Sequence, residues 1–374
     1  MTRPLSSIKS AQDLVDAGLI AKSQRQAIEE VSNKYTISIP QTIAARIDRS
    51  DPHDPLARQF VPSVLELHHQ PYEHDDPIGD NLKSPLAGIV HRYPDRALLK
   101  LVNVCPVYCR FCFRRESVGP QTSKNVSAHS SGILSDQQLQ KAIEYLQSHD
   151  EIWEVILTGG DPLVLSPRRI KALNDALAGI AHIKIIRWHT RVPIVMPEHI
   201  TEDLCQALKC QGKTVYIGLH TNHPRELNEE AINACARLID AGHTLISQTV
   251  LLKGVNDNAK IMIALMRRLT ENRIKPYYLH HPDLAKGTGH FRVEIEKGQD
   301  IVRQMRAELS GIAQPLYVLD IPGAHGKVPI GPSYLPRDTL LTQNTQLERA
   351  YTVLDARGHK HAYVDVANNV LKKG

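Results

Sequence analysis

Residues 97–112 read Ala97-Leu-Leu-Lys-Leu-Val102-Asn-Val-Cys105-Pro-Val-Tyr-Cys109-Arg-Phe-Cys112. An apolar run with the look of a β-strand ends in a loop that carries cysteines spaced Cys-x3-Cys-x2-Cys. Three thiolates on one loop just past a strand can face a single point. They can hold three irons of a cubane [4Fe–4S] cluster and leave the fourth iron open to a chelating ligand. A zinc site would want a fourth ligand, and the nearby sequence offers none at the usual spacing. A redox disulfide generally uses Cys-x2-Cys alone. The remaining cysteines, Cys205, Cys210 and Cys235, lie in helical segments among Leu and Ala and read as buried structural thiols.

Downstream of this run, apolar strand-like segments recur at Ile152–Leu157, Ile183–Trp188, Thr214–Leu219, Thr244–Leu251 and Ile274–Leu279. Helical patterns separate them. Ser135-Asp-Gln-Gln138 is a capping box, and Ser166-Pro167 supplies an N-cap and an N1 proline. Further helices are expected near 201–210, 225–240, 257–270 and 297–309. A strand followed by a helix, six times over, implies an α/β fold with a parallel sheet and right-handed crossovers. Continuous apolar strands fit a sheet covered on both faces. The count alone allows a flat doubly wound sheet or a curved partial barrel. In either, strand C-termini carry the chemistry. The polar groups that follow the strands, Cys105, Thr158-Gly-Gly-Asp161, His189-Thr-Arg191, His220-Thr-Asn222 and His280-His-Pro-Asp283, are therefore expected at one mouth.

Upstream, residues 10–31 suggest one or two amphipathic helices. The prolines and acids from Asp51 to Asp80 suggest rigid turns. The chain of 374 residues is 42% hydrophobic and 23% charged, which suits a soluble globular protein. Its net charge is +5 with no basic block, so nucleic acid is not an expected partner. No apolar run approaches the roughly 20 residues that span a bilayer, and the start lacks a signal-peptide core. A cytoplasmic location, with no membrane partner, is expected.

The segments around the cysteines carry a resemblance. The chain resembles the radical S-adenosylmethionine (SAM) superfamily at Cys105–Cys112, and within it the lysine 2,3-aminomutase family. The residues responsible are His91-Arg-Tyr-Pro-Asp-Arg96, Cys109-Arg-Phe-Cys-Phe-Arg-Arg115, Leu157-Thr-Gly-Gly-Asp-Pro-Leu163, His189-Thr-Arg-Val-Pro193 and His220-Thr-Asn-His-Pro224. Gln248-Thr-Val-Leu-Leu252, Pro276-Tyr-Tyr-Leu279 and Asp320-Ile-Pro-Gly-Ala-His-Gly-Lys327 complete the set, in the family's order from about residue 35 to 335.

The resemblance implies a partial (βα)6 barrel at 89–312, an N-terminal mainly helical extension at 1–88 and a C-terminal segment at 313–374. It implies a [4Fe–4S] cluster, SAM and pyridoxal 5′-phosphate (PLP), fed by an electron donor such as flavodoxin or ferredoxin. The implied reaction moves an amino group between C2 and C3 of a small amino acid, through a 5′-deoxyadenosyl radical and an imine to PLP. Lys327 would then hold PLP, with glycines letting backbone approach the flat ring. Arg92 and Arg96, just before the first strand, would hold its phosphate. Thr158, Gly159, Gly160 and Asp161 would receive the amino group of SAM, with His220 and Gln248 as further SAM contacts. Arg114 would meet the substrate carboxylate. Asp283 and Asp320 resemble the carboxylates that grip the ε-ammonium of lysine, which makes lysine the preferred substrate over glutamate.

The sequence also departs from the family pattern. The best-known members carry extra cysteines near the C-terminus that bind structural zinc between subunits. Here no cysteine follows Lys327, so no structural zinc is expected and homo-oligomerisation is left open. Two other classes compete: a radical SAM enzyme that modifies RNA or protein, and a non-enzymatic metal- or nucleic-acid-binding module.

Overall fold

The computed structural model describes residues 7–118, 132–335, 340–345 and 348–366. Strand β1 is Ile89–Tyr93 and β2 is Arg96–Val102. They form an antiparallel hairpin in which Tyr93 pairs with Arg96. From β2 the chain alternates as its sequence pattern dictates. The strands are β3 (Glu154–Gly159), β4 (Ile185–Thr190), β5 (Thr214–His220), β6 (Thr244–Val250), β7 (Lys275–His280), β8 (Leu316–Ile321) and β9 (Gly326–Pro329). Helices Asp136–Ser148, Pro167–Ala178, Glu202–Ala207, Glu229–Asp240, Ala259–Glu271 and Ile295–Glu308 fill the six intervals between β2 and β8. The sheet order is simply β1 to β9. Strands β2 to β8 are parallel, and β9 returns antiparallel to β8. This is the expected (βα)6 barrel sheet, extended by a seventh parallel strand and by an antiparallel strand at each edge.

Local chemistry accounts for the elements. Ser135 accepts from the Gln138 N–H, and Gln138 answers at Ser135. Ser166, Thr201, Asn228 and Asn258 each cap the following helix through a side-chain oxygen. The inner residues of β3, Val155 to Thr158, are buried without interruption, as a strand covered on both faces requires. Trp188 on β4 is fully enclosed.

The N-terminal region contains the helices Ala11–Asp16 and Arg25–Ser32, as expected, and also Gln41–Ala44 and Pro55–Phe60. Its Leu14, Ile28, Ile43, Leu56 and Phe60 belong to the same hydrophobic cluster as Leu99, Leu157 and Trp188. Near the C-terminus, β10 (Leu340–Thr345), β11 (Glu348–Leu354) and β12 (Lys360–Val366) form an antiparallel sheet that the polar sequence did not announce. Among the described residues no helix is long and apolar enough to cross a membrane.

Candidate active site

A cavity of about 510 Å³ opens where the strand ends converge. Cys105, Cys109, Cys112, Arg92, Arg96, Arg114, Thr158, Gly159, Gly160, Asp161, His220, Gln248, Asp283, Asp320 and Lys327 all line it. Every residue marked from sequence as a site candidate is therefore brought to one chamber.

The cysteine loop is held from behind. All three thiols are free, and burial pushes each one up, Cys109 to about 11. Arg191 Nη1 lies 3.6 Å from Cys109 Sγ and favours its thiolate. Arg191 is itself fixed by Gln59, at 2.8 Å, and by Glu226. On the other side, the buried Glu66 accepts from Arg110 at 2.5 and 2.9 Å and from Arg115. Three soft donors without a disulfide, set beside a supporting cation, fit an iron–sulfur cluster. Cys205 and Cys235 are buried in helices, whereas Cys210 is buried in the turn after a helix, where it donates to Asn174 O at 3.2 Å.

The glycines at the end of β3 have a steric reason. Gly160 N donates to Val102 O at 2.5 Å, and Asp161 N donates to Val104 O at 2.9 Å. A Cβ on Gly160 would meet Val104 O at 2.2 Å, and one on Gly159 would meet Val102 O at 2.3 Å. Gly159 also has φ +117°. These residues let β3 lie against the backbone that leads into Cys105. The Asp161 carboxylate is already committed, accepting from Leu163 N at 3.1 Å, Thr190 Oγ1 at 2.8 Å and Arg191 N at 2.6 Å. It locks the ends of β3 and β4 together. His220 is pushed down to about 3 by burial and stays neutral. Gln248 Nε2 lies 3.0 Å from Nε2 of His189, a cavity residue to which the sequence reading gave no role.

A polar chain runs from β3 to Lys327. Arg114 Nη1 donates to Thr158 Oγ1 at 3.2 Å, and Arg114 Nε donates to Asp80 at 2.9 Å. Asp80 also accepts from Arg92 at 3.1 Å, and Arg92 Nη1 lies 3.7 Å from Asp320. Arg92 stands within β1 rather than ahead of the first strand, and Arg96 opens β2 with its guanidinium 3.7 Å from the Tyr93 ring centroid. The β8–β9 register places Lys327 opposite Asp320, and their side chains form an ion pair. Lys327 Nζ also lies 3.3 Å from His280 Nδ1 and 5.6 Å from the Tyr278 ring centroid.

The glycines near Lys327 shape this hairpin. Gly323 and Gly326 take left-handed φ values, and Gly326 lies against the Tyr93 hydroxyl, which accepts from Lys327 N at 2.7 Å. The buried Nε of Arg92 and Nε2 of His280 have no partner among the described residues. An amine, a guanidinium with a spare donor and nearby aromatic rings fit a phosphorylated aldehyde such as PLP.

Asp283 and Asp320 differ sharply. Burial opposes the charge of Asp320, but His280 and Lys327 together hold it well below the usual carboxylate range. Burial pushes Asp283 up to about 7, and the charge of Asp320 adds to this. No described residue pairs with Asp283. Asp80, Glu66, Gln59 and Glu226 were not marked from sequence. The partners named here are 12 to 167 residues away, and as isolated polar residues they look like surface.

Residues 99–266 match the radical SAM superfamily. The chain is 35% identical over 328 residues to an L-lysine 2,3-aminomutase of Clostridium subterminale, covering 88% of this chain and 76% of that one. It is 37% identical over 315 residues to an L-lysine 2,3-aminomutase of Methanococcus maripaludis, covering 84% and 70%. A glutamate 2,3-aminomutase of Clostridioides difficile is 35% identical over 316 residues, covering 84% and 72%.

Proposed function

The chain belongs to the lysine 2,3-aminomutase family of radical SAM enzymes, and from that membership we propose that it converts L-lysine to β-lysine. It is an isomerase, an amino acid 2,3-aminomutase, and its family uses a [4Fe–4S] cluster, SAM and PLP. The competing readings as an RNA- or protein-modifying enzyme and as a non-enzymatic module fall with that membership. When bound, the cluster and SAM supply a hydrogen-abstracting radical, and PLP supplies the conjugated system that spreads the unpaired electron.

In this reading Cys105, Cys109 and Cys112 hold the cluster. The Thr158–Asp161 strand end, His220 and Gln248 receive SAM. Lys327 engages the PLP aldehyde, and Arg92 and Arg96 bind its phosphate. Arg114 has Nε and Nη1 committed to Asp80 and Thr158. Its Nη2 is left to meet the substrate carboxylate, and the committed bonds fix the fork's direction. The protein works in the cytoplasm with a low-potential one-electron donor of the flavodoxin or ferredoxin kind.

The observation that carries the choice of lysine is the pair Asp283 and Asp320. Two acids share one cavity, and one of them, Asp283, has no direct ion-pair or hydrogen-bond partner among the described residues, although the charges of Lys327 and Arg114 act on it. A buried carboxylate is costly without a partner. Asp320 is paired with Lys327, so Asp283 is the carboxylate left for a substrate ε-ammonium, with Asp320 beside it. Glutamate would instead bring a third negative charge to the same spot. The test is anaerobic reconstitution with iron, sulfide, PLP, SAM and a reductant, with lysine and glutamate offered separately. β-Lysine should form and glutamate should be turned over poorly. Conversion of glutamate with lysine ignored would overturn the choice.

A further inference from the structure

On the strand β1, Arg92 reaches into the cavity, and its neighbour His91 takes the opposite face. There His91 meets the last turn of the helix Asp136–Ser148. His91 Nδ1 lies 2.9 Å from Tyr145 Oη. The Tyr145 ring stacks on His149, with centroids 3.8 Å apart and planes at 24°. His149 stands edge-on to His91 at 5.8 Å. Glu151 follows two residues later, in the turn into β3.

The hydrogen bonds decide which nitrogens are available. His149 Nδ1 lies 2.7 Å from the Tyr145 carbonyl, which can only accept. That nitrogen must carry the proton, so Nε2 of the neutral ring presents a lone pair. His91 places Nδ1 against the Tyr145 hydroxyl, which can accept or donate; with the hydroxyl accepting, Nε2 keeps its lone pair, and that atom is buried with no partner among the described residues. A buried polar atom left without a partner is destabilising. One ring nitrogen from each histidine and one Glu151 oxygen already lie within 4.8 Å of one another. In a tetrahedral zinc site, bonds near 2.05 Å put ligand atoms about 3.4 Å apart. Rotation of the exposed Glu151 side chain together with a small adjustment of the two imidazoles covers the difference.

We propose that His91, His149 and Glu151 form a divalent-metal site, suited to zinc, on the outer face of the barrel. Two imidazoles and one carboxylate favour zinc over magnesium or calcium, which prefer oxygen donors. The Nδ1 bonds to the Tyr145 hydroxyl and carbonyl are the outer contacts that orient imidazole ligands in such sites. A simple aromatic cluster closing the helix C-terminus would explain the stacking but would leave His91 Nε2 unsatisfied. The sequence expectation of no structural zinc rested on cysteines; this set contains none, and only the fold brings β1 to the turn before β3. A bound metal would strap that turn to the strand that carries Arg92. Its fourth position would take water.

The test uses cluster-loaded protein, so that the cysteines of the cavity are filled. Zinc is added anaerobically, the protein is desalted, and zinc and iron are counted. The parent should retain about one zinc per chain. His149→Gln and Glu151→Gln should each bind zinc at least about tenfold more weakly with iron unchanged. At zinc near one hundred times Kd the parent should melt about 3 °C higher, and the variants should not. No retained zinc in the parent overturns the proposal. So does equal retention in both variants, as binding at the exposed His359, His361 and Asp355 would give.

Discussion

Asp283 is the residue whose charge state the cavity leaves most finely balanced. Burial and the nearby Asp320 push it up to about 7, while Lys327 and Arg114 pull the other way. Lysine binding needs it ionised. The KM for lysine should therefore rise as pH falls from 8 to 6, by up to about tenfold per unit below the pKa. Asp283→Asn should have a high KM without that pH dependence, which steady-state kinetics at several pH values will show. The sign for stability is opposite to that of a paired carboxylate. The folded value lies above the unfolded one, so the folded state binds the extra proton between about pH 4 and 7, and stability is lost as pH rises through that window. Asp283→Asn should thus melt higher than the parent at pH 8 without substrate, and the gain should vanish near pH 4. A lower melting temperature at pH 8 would mean that Asp283 is not held up. Lys327→Ala should lose a borohydride-reducible PLP adduct while keeping its iron–sulfur spectrum; mapping the adduct to another lysine would displace the proposed anchor. At this scale the sequence was uneven. The cysteine spacing speaks for itself, whereas Lys327 and the two aspartates are recognisable only through the family resemblance. Asp80 and Glu66 were not legible, because what defines them is guanidinium partners elsewhere in the chain, 12 and 34 residues away for Asp80 and 44 and 49 for Glu66.

Among the strands that the sequence pattern marked, β3, β4 and β6 are buried nearly throughout, whereas β2 alternates and β7 is largely half-buried. Strands β2 to β7 fall within a few residues of their apolar runs, because burial of most or alternate residues selects Val, Ile and Leu. The edge strands escaped notice for the same reason. In β9 only Gly326 is buried, and β1 turns from buried to half-buried after Val90. Such strands carry little apolar signal, yet the edges matter: β1 presents Arg92 and β9 presents Lys327. The junction of β3 with the cysteine loop is the element contact most sensitive to a single atom. Gly160→Ala would drive a methyl against the Val104 carbonyl. Either β3 or the 102–104 segment must move, at a cost of about 1–3 kcal/mol. The expected outcome is a folded protein that retains less than half the parent's iron after reconstitution and binds SAM weakly. Gly179→Ala, where a Cβ meets nothing closer than 3.5 Å, is the control and should match the parent in both. Equal iron in the two variants would mean that the close approach does not position Cys105.

For the molecule as a whole, the N-terminal residues act as part of the barrel. They share its hydrophobic cluster, and they supply the two buried acceptor groups that brace the cysteine loop. Gln59 reaches Arg191 and Glu226, and Glu66 binds both Arg110 and Arg115, which flank Cys112. Although burial opposes its charge, those arginines hold Glu66 below the usual carboxylate range, so it is ionised at neutral pH. Removing one partner of a buried ion pair costs about 3–5 kcal/mol, because the charge left behind stays buried. Glu66→Ala strands two guanidiniums at once and should lower the melting temperature by several degrees. Glu66→Gln keeps one acceptor oxygen, loses the charge and should fall between. The distinguishing readout is cluster retention. A brace that acts on the loop predicts that iron is lost to a chelator faster in Glu66→Gln than in the parent, even at temperatures where both remain folded by circular dichroism. A purely global destabilisation predicts equal iron loss well below the melting transition. Equal rates would assign Glu66 to folding alone and remove it from the support of the cluster.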